Sequence, residues 1–311
     1  MMNCYYRQRG VAIITALLIV AIATTVSVTI STRLQLDVRR TANMIANDQA
    51  YLYTITAENL GMQILKQDRE EGEIDHLGEN WALDIPPIPV EGGYIVGKLT
   101  DMQGCLNLNS LDSNATDPAV ALTRLEMLLQ NLGLQKRLAQ GVVDWLDADL
   151  ETKIPDGAED SYYMNLDAPY RTANTNMASA SELRLVKGFD DAEVYKTLLP
   201  HVCAFGISAP ININTASAEV LRSLGDDLSE SDIESVITQR EEQAFNDLNE
   251  FQNSKTLKDK ITSLEDLSVN SEYFMLRTES TIGQIRYIGY SIIQRNAAGT
   301  ASVIARSQGV Y

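Results

Sequence analysis

From Val11 to about Lys66 the chain contains no proline, and its first part, Val11-Ala12-Ile13-Ile14-Thr15-Ala16-Leu17-Leu18-Ile19-Val20-Ala21-Ile22-Ala23, is almost wholly apolar. No other feature constrains the fold as much. At 1.5 Å per residue, roughly 55 residues of unbroken helix make a rod of about 80 Å, longer than an ordinary domain is wide. With Thr24-Thr25-Val26-Ser27-Val28-Thr29-Ile30 the run reaches the ~20 residues that cross a bilayer. Its hydroxyls are tolerated because Ser and Thr bond back to the carbonyl one turn earlier. The leader Tyr5-Tyr6-Arg7-Gln8-Arg9-Gly10 is basic, which keeps it on the cytoplasmic side. A cleaved secretory signal, with Ala21-Ile22-Ala23 as its small-residue site, is the competing reading. Against it stands the helical pattern that continues well past Ala23. Ile45, Leu52, Ile55, Met62 and Leu65 recur at helical spacing and are predicted to lie on a folded domain.

After Gln67 the composition turns to Gly, Pro and acids, and Asp84-Ile85-Pro86-Pro87-Ile88-Pro89 reads as an extended connector. Strands are predicted at 94–101 and 105–109, then at 273–282 and 285–294 as a hairpin turning at Gly283-Gln284, and at 301–306. Between them the pattern is helical. Residues 119–132 and 134–146 carry apolar side chains at helical spacing around an Asn131-Leu132-Gly133 stop. Segments 178–189 and 214–225 echo each other, each opening on a hydroxyl cap and closing on glycine. The fold class is therefore α+β. A long N-terminal helix packs on an antiparallel sheet, and a large α-helical domain is inserted in that sheet. The divisions read as 1–10 leader, 11–30 membrane span, 31–110 first part of the sheet domain, 111–270 insertion and 271–311 second part.

Among 311 residues, 45% are hydrophobic, so a real core can form. The net charge of −17 disfavours nucleic acid as a partner, since that affinity comes from Lys and Arg neutralising phosphates. Of the three cysteines, Cys4 lies in the leader; Cys105 and Cys203 remain as an even pair. They either form a disulfide, which requires an oxidising compartment, or stay as two buried thiols.

Gly10 before an apolar helix, after a short basic leader, resembles the leader of type IV pilins and type II secretion pseudopilins. The resemblance implies cleavage after Gly10 by a prepilin peptidase, methylation of the new N-terminus at Val11, and a single-pass inner-membrane protein with a periplasmic domain. Most of that family has glutamate at the fifth mature position, where this chain has Thr15. The segments 101–109 (Asp-Met-Gln-Gly-Cys-Leu-Asn-Leu-Asn), 144–149 (Asp-Trp-Leu-Asp-Ala-Asp), 179–188 and 211–216 (Ile-Asn-Ile-Asn-Thr-Ala) occur in an order similar to the K-type minor pseudopilin. That family is understood to initiate or cap the pseudopilus, so Thr15 reads as a tip signature. The resemblance further implies partners among the I and J minor pseudopilins and no enzymatic activity. Alternative readings are a type IV pilus minor pilin and a periplasmic helix-hairpin-helix DNA-uptake protein. For the latter, the hairpin Leu224-Gly225-Asp226-Asp227-Leu228-Ser229-Glu230 is acidic and would repel phosphate.

Asp144, Asp147, Asp149, Glu151, Asp156, Glu159 and Asp160 are relieved only by Lys153. Packed together, such charges raise one another's pKa or demand a cation. Oxygen ligands without nearby His or Cys select a hard ion, and a loop containing Pro155 and Gly157 suits calcium better than magnesium. The spacing is not that of an EF-hand, and a solvated acidic loop is the plainer alternative. The K-type resemblance adds calcium in the helical domain. Asp147, Asp149, Glu159 and Asp160 are the leading ligands, with Asp144 and Asp156 beside them. A glycosidase-like carboxylate pair has no aromatic-rich cleft to support it. His76 and His201 lie near no nucleophile motif.

Overall fold

The computed structural model describes residues 9–309 except 207, 226, 255 and 259. Leader residues 1–8, including Cys4, and Asp226 of the acidic hairpin lie outside the described residues. Helix α1 runs unbroken from Arg9 to Glu71, 63 residues. Its first half is exposed and is long and apolar enough to cross a membrane. Five threonines there hide their hydroxyls on the helix itself: Thr15, Thr24, Thr25, Thr29 and Thr32 each donate to the carbonyl four residues back, at 2.6–3.1 Å. No polar group in the span needs an outside partner on their account.

The second half of α1 lies on a five-stranded antiparallel sheet of order β1-β2-β7-β8-β9. Its strands are β1 (Ile88–Val90), β2 (Gly93–Asp101), β7 (Tyr273–Ile282), β8 (Ile285–Arg295) and β9 (Ala301–Gln308). The apolar stripe expected to face this sheet is partly displaced. Ile45 and Leu52 are exposed, whereas Ala50, Thr54, Glu58, Gly61 and Leu65 are buried against the strands. The cause is close approach. A side chain on Gly289 of β8 would collide with Thr54, and Gly61 sits against Leu99, Leu276 and Ile293. Small residues let helix and sheet meet; the larger Ile45 and Leu52 project elsewhere. Trp81, Leu65, Leu99, Phe274, Leu276 and Ile293 form the core beneath.

Strands β2 and β7 pair in full, from Gly93↔Ile282 to Asp101↔Phe274. The chain therefore leaves the sheet after Asp101 and returns at Tyr273 immediately beside its point of departure. The insertion spans 102–272 rather than 111–270, because the expected sheet strand at 105–109 belongs to it. That strand shrinks to β3 (Leu106–Asn107), which pairs in parallel with β4 (Val202–Cys203), followed by a 3-10 turn at Leu108–Leu111.

Two lobes make up the insertion. Lobe one contains α2 (Pro118–Asn131), α3 (Leu138–Leu146), α4 (Asp160–Tyr163), a 3-10 helix (Ala180–Leu185) and α5 (Ala192–Leu198). Asp117 caps α2 by accepting from Val120 N, and Pro118 occupies the first turn, where a missing N–H costs nothing. Trp145, Tyr163, Leu125, Leu128, Leu183 and Phe189 fill its core. Lobe two contains β5 (Ile211–Asn212), α6 (Ala218–Arg222), α7 (Glu230–Glu242), α8 (Leu248–Gln252) and β6 (Leu267–Ser268), around Val220, Leu221, Phe245 and Phe251. The two echoing segments thus become a 3-10 helix and α6, capped by Ser179 and Ser217. Arg124 of α2, almost fully buried, donates to the carbonyls of Ser263, Glu265 and Asp266 and so joins the lobes.

The neck is polar and buried. Asp101 accepts from Gln103 N, Asn212 Nδ2, Thr215 Oγ1 and Ser271 Oγ. Gln103 accepts from the backbones of Glu272 and Tyr273, tying the two crossings together. Cys105 and Cys203 are disulfide-bonded, with Cα atoms 5.9 Å apart. They lie at the entry and exit of lobe one, so the bond closes that lobe at its base.

Candidate metal centre

The acidic loop leaves α3 at its C-terminus and returns at α4. Asp144, wholly buried on α3, organises it: both of its oxygens accept from Lys153 N, at 3.2 and 3.1 Å. Gly157 packs so closely on Asp144 that no side chain would fit there. On the far side, Asp156 pairs with Arg137 at 2.7 Å and its N–H donates to Gln140. Asp160 accepts from the backbone and hydroxyl of Thr172. Asp144, Asp156 and Asp160 are therefore occupied in holding the loop.

The other three converge. Carboxylate oxygens of Asp147, Asp149 and Glu159 lie within 4.8 Å of one another. Asp147 Oδ1 and Glu159 Oε1 are buried without a hydrogen-bond partner. Asn174, whose Nδ2 donates to the carbonyl of Asp149 at 3.4 Å, also has a buried Oδ1 with no partner. Sequence reasoning missed Asn174, because an amide adds no charge to the acidic run. Burial first, and then the neighbouring charge of Asp144, pushes the Glu159 carboxyl up to about 7; burial likewise raises Asp144. Three carboxyl groups face one ammonium, Lys153, so the group carries a negative surplus that rises as Glu159 ionises, and unpaired buried acceptors are costly. An all-oxygen set with that surplus fits a hard divalent ion.

A second acidic group, Asp68, Asp75 and Glu79, also converges within 4.8 Å. It already surrounds a cation. Arg295, almost fully buried, donates to Asp68 Oδ2 at 2.8 Å, to Asp75 Oδ1, and to the carbonyls of Leu65 and Ser271, and stacks on Phe274 at 4.8 Å.

At the other end of the molecule, Gly10 and Val11 lie exposed in the first turn of α1. A side chain at Gly10 would meet nothing among the described residues, so packing does not demand glycine there. Thr15 Oγ1 bonds the carbonyls of Val11 and Ala12. His201 Nδ1 lies 3.2 Å from Ser217 Oγ and 3.6 Å from Glu219 at the lobe boundary, a packing contact with no reacting group beside it.

A membrane-type stem helix, an antiparallel sheet packed on it and a head spliced into two adjacent strands define a pseudopilin with a large insertion. The family model for type II secretion system protein K matches residues 104–206 and again 211–270, the two lobes described above. The chain is 35% identical to type II secretion system protein K of Pseudomonas aeruginosa, over 97% of this chain and 93% of that one. It is 32% identical to the protein of the same name from Pectobacterium carotovorum, over 98% of each. Among solved structures it resembles a chain of the GspK-GspI-GspJ complex from enterotoxigenic Escherichia coli, with TM-score 0.78, 29% identity, and coverage of 88% of this chain and all of that one. The chain belongs to the type II secretion system protein K family, the minor pseudopilins of that apparatus.

Proposed function

We propose that this pseudopilin occupies the tip of the type II secretion pseudopilus, initiating or capping its assembly for protein export across the outer membrane. One observation carries the reading: Thr15 spends its hydroxyl on its own helix and so offers nothing to the amine of a subunit above. A carboxylate in hydrocarbon is tolerated only when paired, so its replacement by a self-satisfied threonine suits a subunit with no neighbour on that side. The two-lobed head, spliced in at the upper end of a narrow stem, adds a steric block to further growth.

In this reading prepilin peptidase cuts after Gly10, Val11 becomes the methylated N-terminus, α1 anchors the protein in the inner membrane and the sheet and head stand in the periplasm. The solved complex that this chain resembles favours I- and J-type minor pseudopilins as partners. The role is structural rather than catalytic. An oxidising periplasm allows the Cys105–Cys203 bond to form. Asp147, Asp149 and Glu159, beside Asn174, would hold calcium, which would neutralise the loop and fix it on lobe one.

Co-expression of the full chain with the I- and J-type subunits tests the tip assignment. A detergent-stable assembly with this chain at one end is expected. Recovery of the chain along the length of the pseudopilus would end the proposal. For the metal, calorimetric titration of the detergent-solubilised chain with calcium is expected to release heat and raise Tm. No heat and no shift would remove calcium from the account.

A further inference from the structure

Lys153 is the one cation within reach of the three converging carboxylates among the described residues. Its Nζ lies 3.0 Å from Asp147 Oδ2 and 4.0 Å from Asp149 Oδ2, and its side chain is 42% exposed. The backbone at Lys153 has anchors of its own besides the ammonium. Lys153 N is fixed by Asp144, its carbonyl accepts from Gly157 N at 2.8 Å, and the following turn is fastened by Gln140 and Arg137. Backbone and side chain are thus anchored independently, and the side chain has somewhere to go. Lys153 lines a groove of about 530 Å³ that has Asp147 and Asp149 in its wall and is also lined by Leu111, Pro118, Leu122 and Val143. A lysine stem can lie along such apolar surface while its head stays in water.

We infer that Lys153 is a tethered substitute for the metal, neutralising Asp147 and Asp149 when calcium is absent and withdrawing along the groove when the ion arrives. The inference rests on the calcium reading above and adds its regulation. Asp147 holds the ammonium above the usual lysine range, so it is charged at any periplasmic pH. Two consequences follow from mass action. The ammonium supports lobe one in calcium-free surroundings, and it lowers calcium affinity because it must be displaced first. A divalent ion outcompetes it by meeting three carboxylates at once, where a single ammonium reaches two.

The test uses the full chain in detergent, with calcium itself as the probe. Lys153→Met keeps the stem and removes the charge. It is expected to lower Tm in chelator and to tighten the calorimetric Kd for calcium by roughly tenfold. Lys153→Arg, which keeps the charge, should stay near wild type in both. An unchanged Kd in Lys153→Met while wild type binds calcium overturns the inference, and so does a weakened one, which would make the lysine a support of the site. If wild type itself takes up no calcium, the metal reading fails instead, and the two failures are told apart in one experiment.

Discussion

Single side chains decide several of the joints. Asp68 shares Arg295 with Asp75 while Glu79 crowds it, and burial pushes its carboxyl up to about 7. The folded state therefore holds this proton more tightly than the unfolded chain, where the group titrates near 3.8. The stability it contributes is full below pH 3.8 and is lost as pH rises through 7. Asp68→Asn mimics the protonated acid and keeps an oxygen for Arg295. Denaturation midpoints measured between pH 4 and 8 should fall less steeply with pH in the variant, by up to about 1.4 kcal/mol per pH unit. Parallel profiles for wild type and variant would refute this. Glu58 is a comparable case on the stem. Buried on α1, it accepts from both Nε and Nη2 of Arg306, each at 2.8 Å, and from Ser291 Oγ at 2.6 Å. Because Arg306 is half-exposed and can return to water, Glu58→Ala should cost about 1–3 kcal/mol in urea denaturation, short of the loss for a fully buried pair. At this scale the acidic loop was legible as charge, but its division of labour was not. Which acid faces a backbone N–H and which faces another acid depends on folding the loop around Asp144.

Elements with strong local signals were readable in advance. The alternation from Tyr273 to Arg295, broken by Gly283-Gln284, reports strands with one face covered, and the absence of proline reports α1. The face that α1 turns to the sheet was read in part: Leu65 and Met62 pack there as expected, but Ala50, Thr54 and Gly61 lie buried where Ile45 and Leu52 were expected, because close approach there selects what is small. Strand β3 falls inside the segment read as strand at 105–109, but the parallel pairings β3–β4 and β5–β6 were beyond reach, since they are completed by side chains. Asn107 brackets the backbone of Phe205, Asn109 that of Met177 and Asn214 that of Phe245, each amide both giving and accepting. Leu-Asn-Leu-Asn and Ile-Asn-Ile-Asn thus have a physical meaning: three of their four asparagines stand in for a missing strand, and the fourth, Asn212, ties the neck through Asp75, Asp101 and Ser271. The Cys105–Cys203 bond closes lobe one across a sequence separation of 98 residues, so most of its effect falls on the unfolded chain. Replacing both cysteines by serine should cost about 2–4 kcal/mol in thermal unfolding of oxidised protein. Equal stability of wild type under oxidising and reducing conditions would contradict it.

Over the whole molecule, charge divides as shape does. Residues 102–272 contain 29 of the 42 acidic side chains and only 13 of the 25 basic ones, so the head bears nearly all of the net −17. The stem and sheet are close to neutral, which favours bundling with other stems, while the head repels like-charged surfaces. Thr15→Glu tests the terminal position at this scale. With no amine above, the new carboxylate should lower membrane-inserted protein and secretion, at a cost of a few kcal/mol. Unimpaired secretion by a strain carrying only that variant would argue for an interior subunit.

The departure and return of the chain at adjacent strand ends has a mechanical corollary. A tug on the head reaches the sheet at Asp101 and Tyr273 side by side, so it strains the β2–β7 ladder as a zipper is strained, one rung after another, and not all rungs at once in shear. A zipper yields easily unless its open end is riveted. Asp101 and Gln103 sit at that end, and their cross-bonds to Ser271, Glu272 and Tyr273 must break before the first rung can part, while Arg295 holds the returning chain at Ser271.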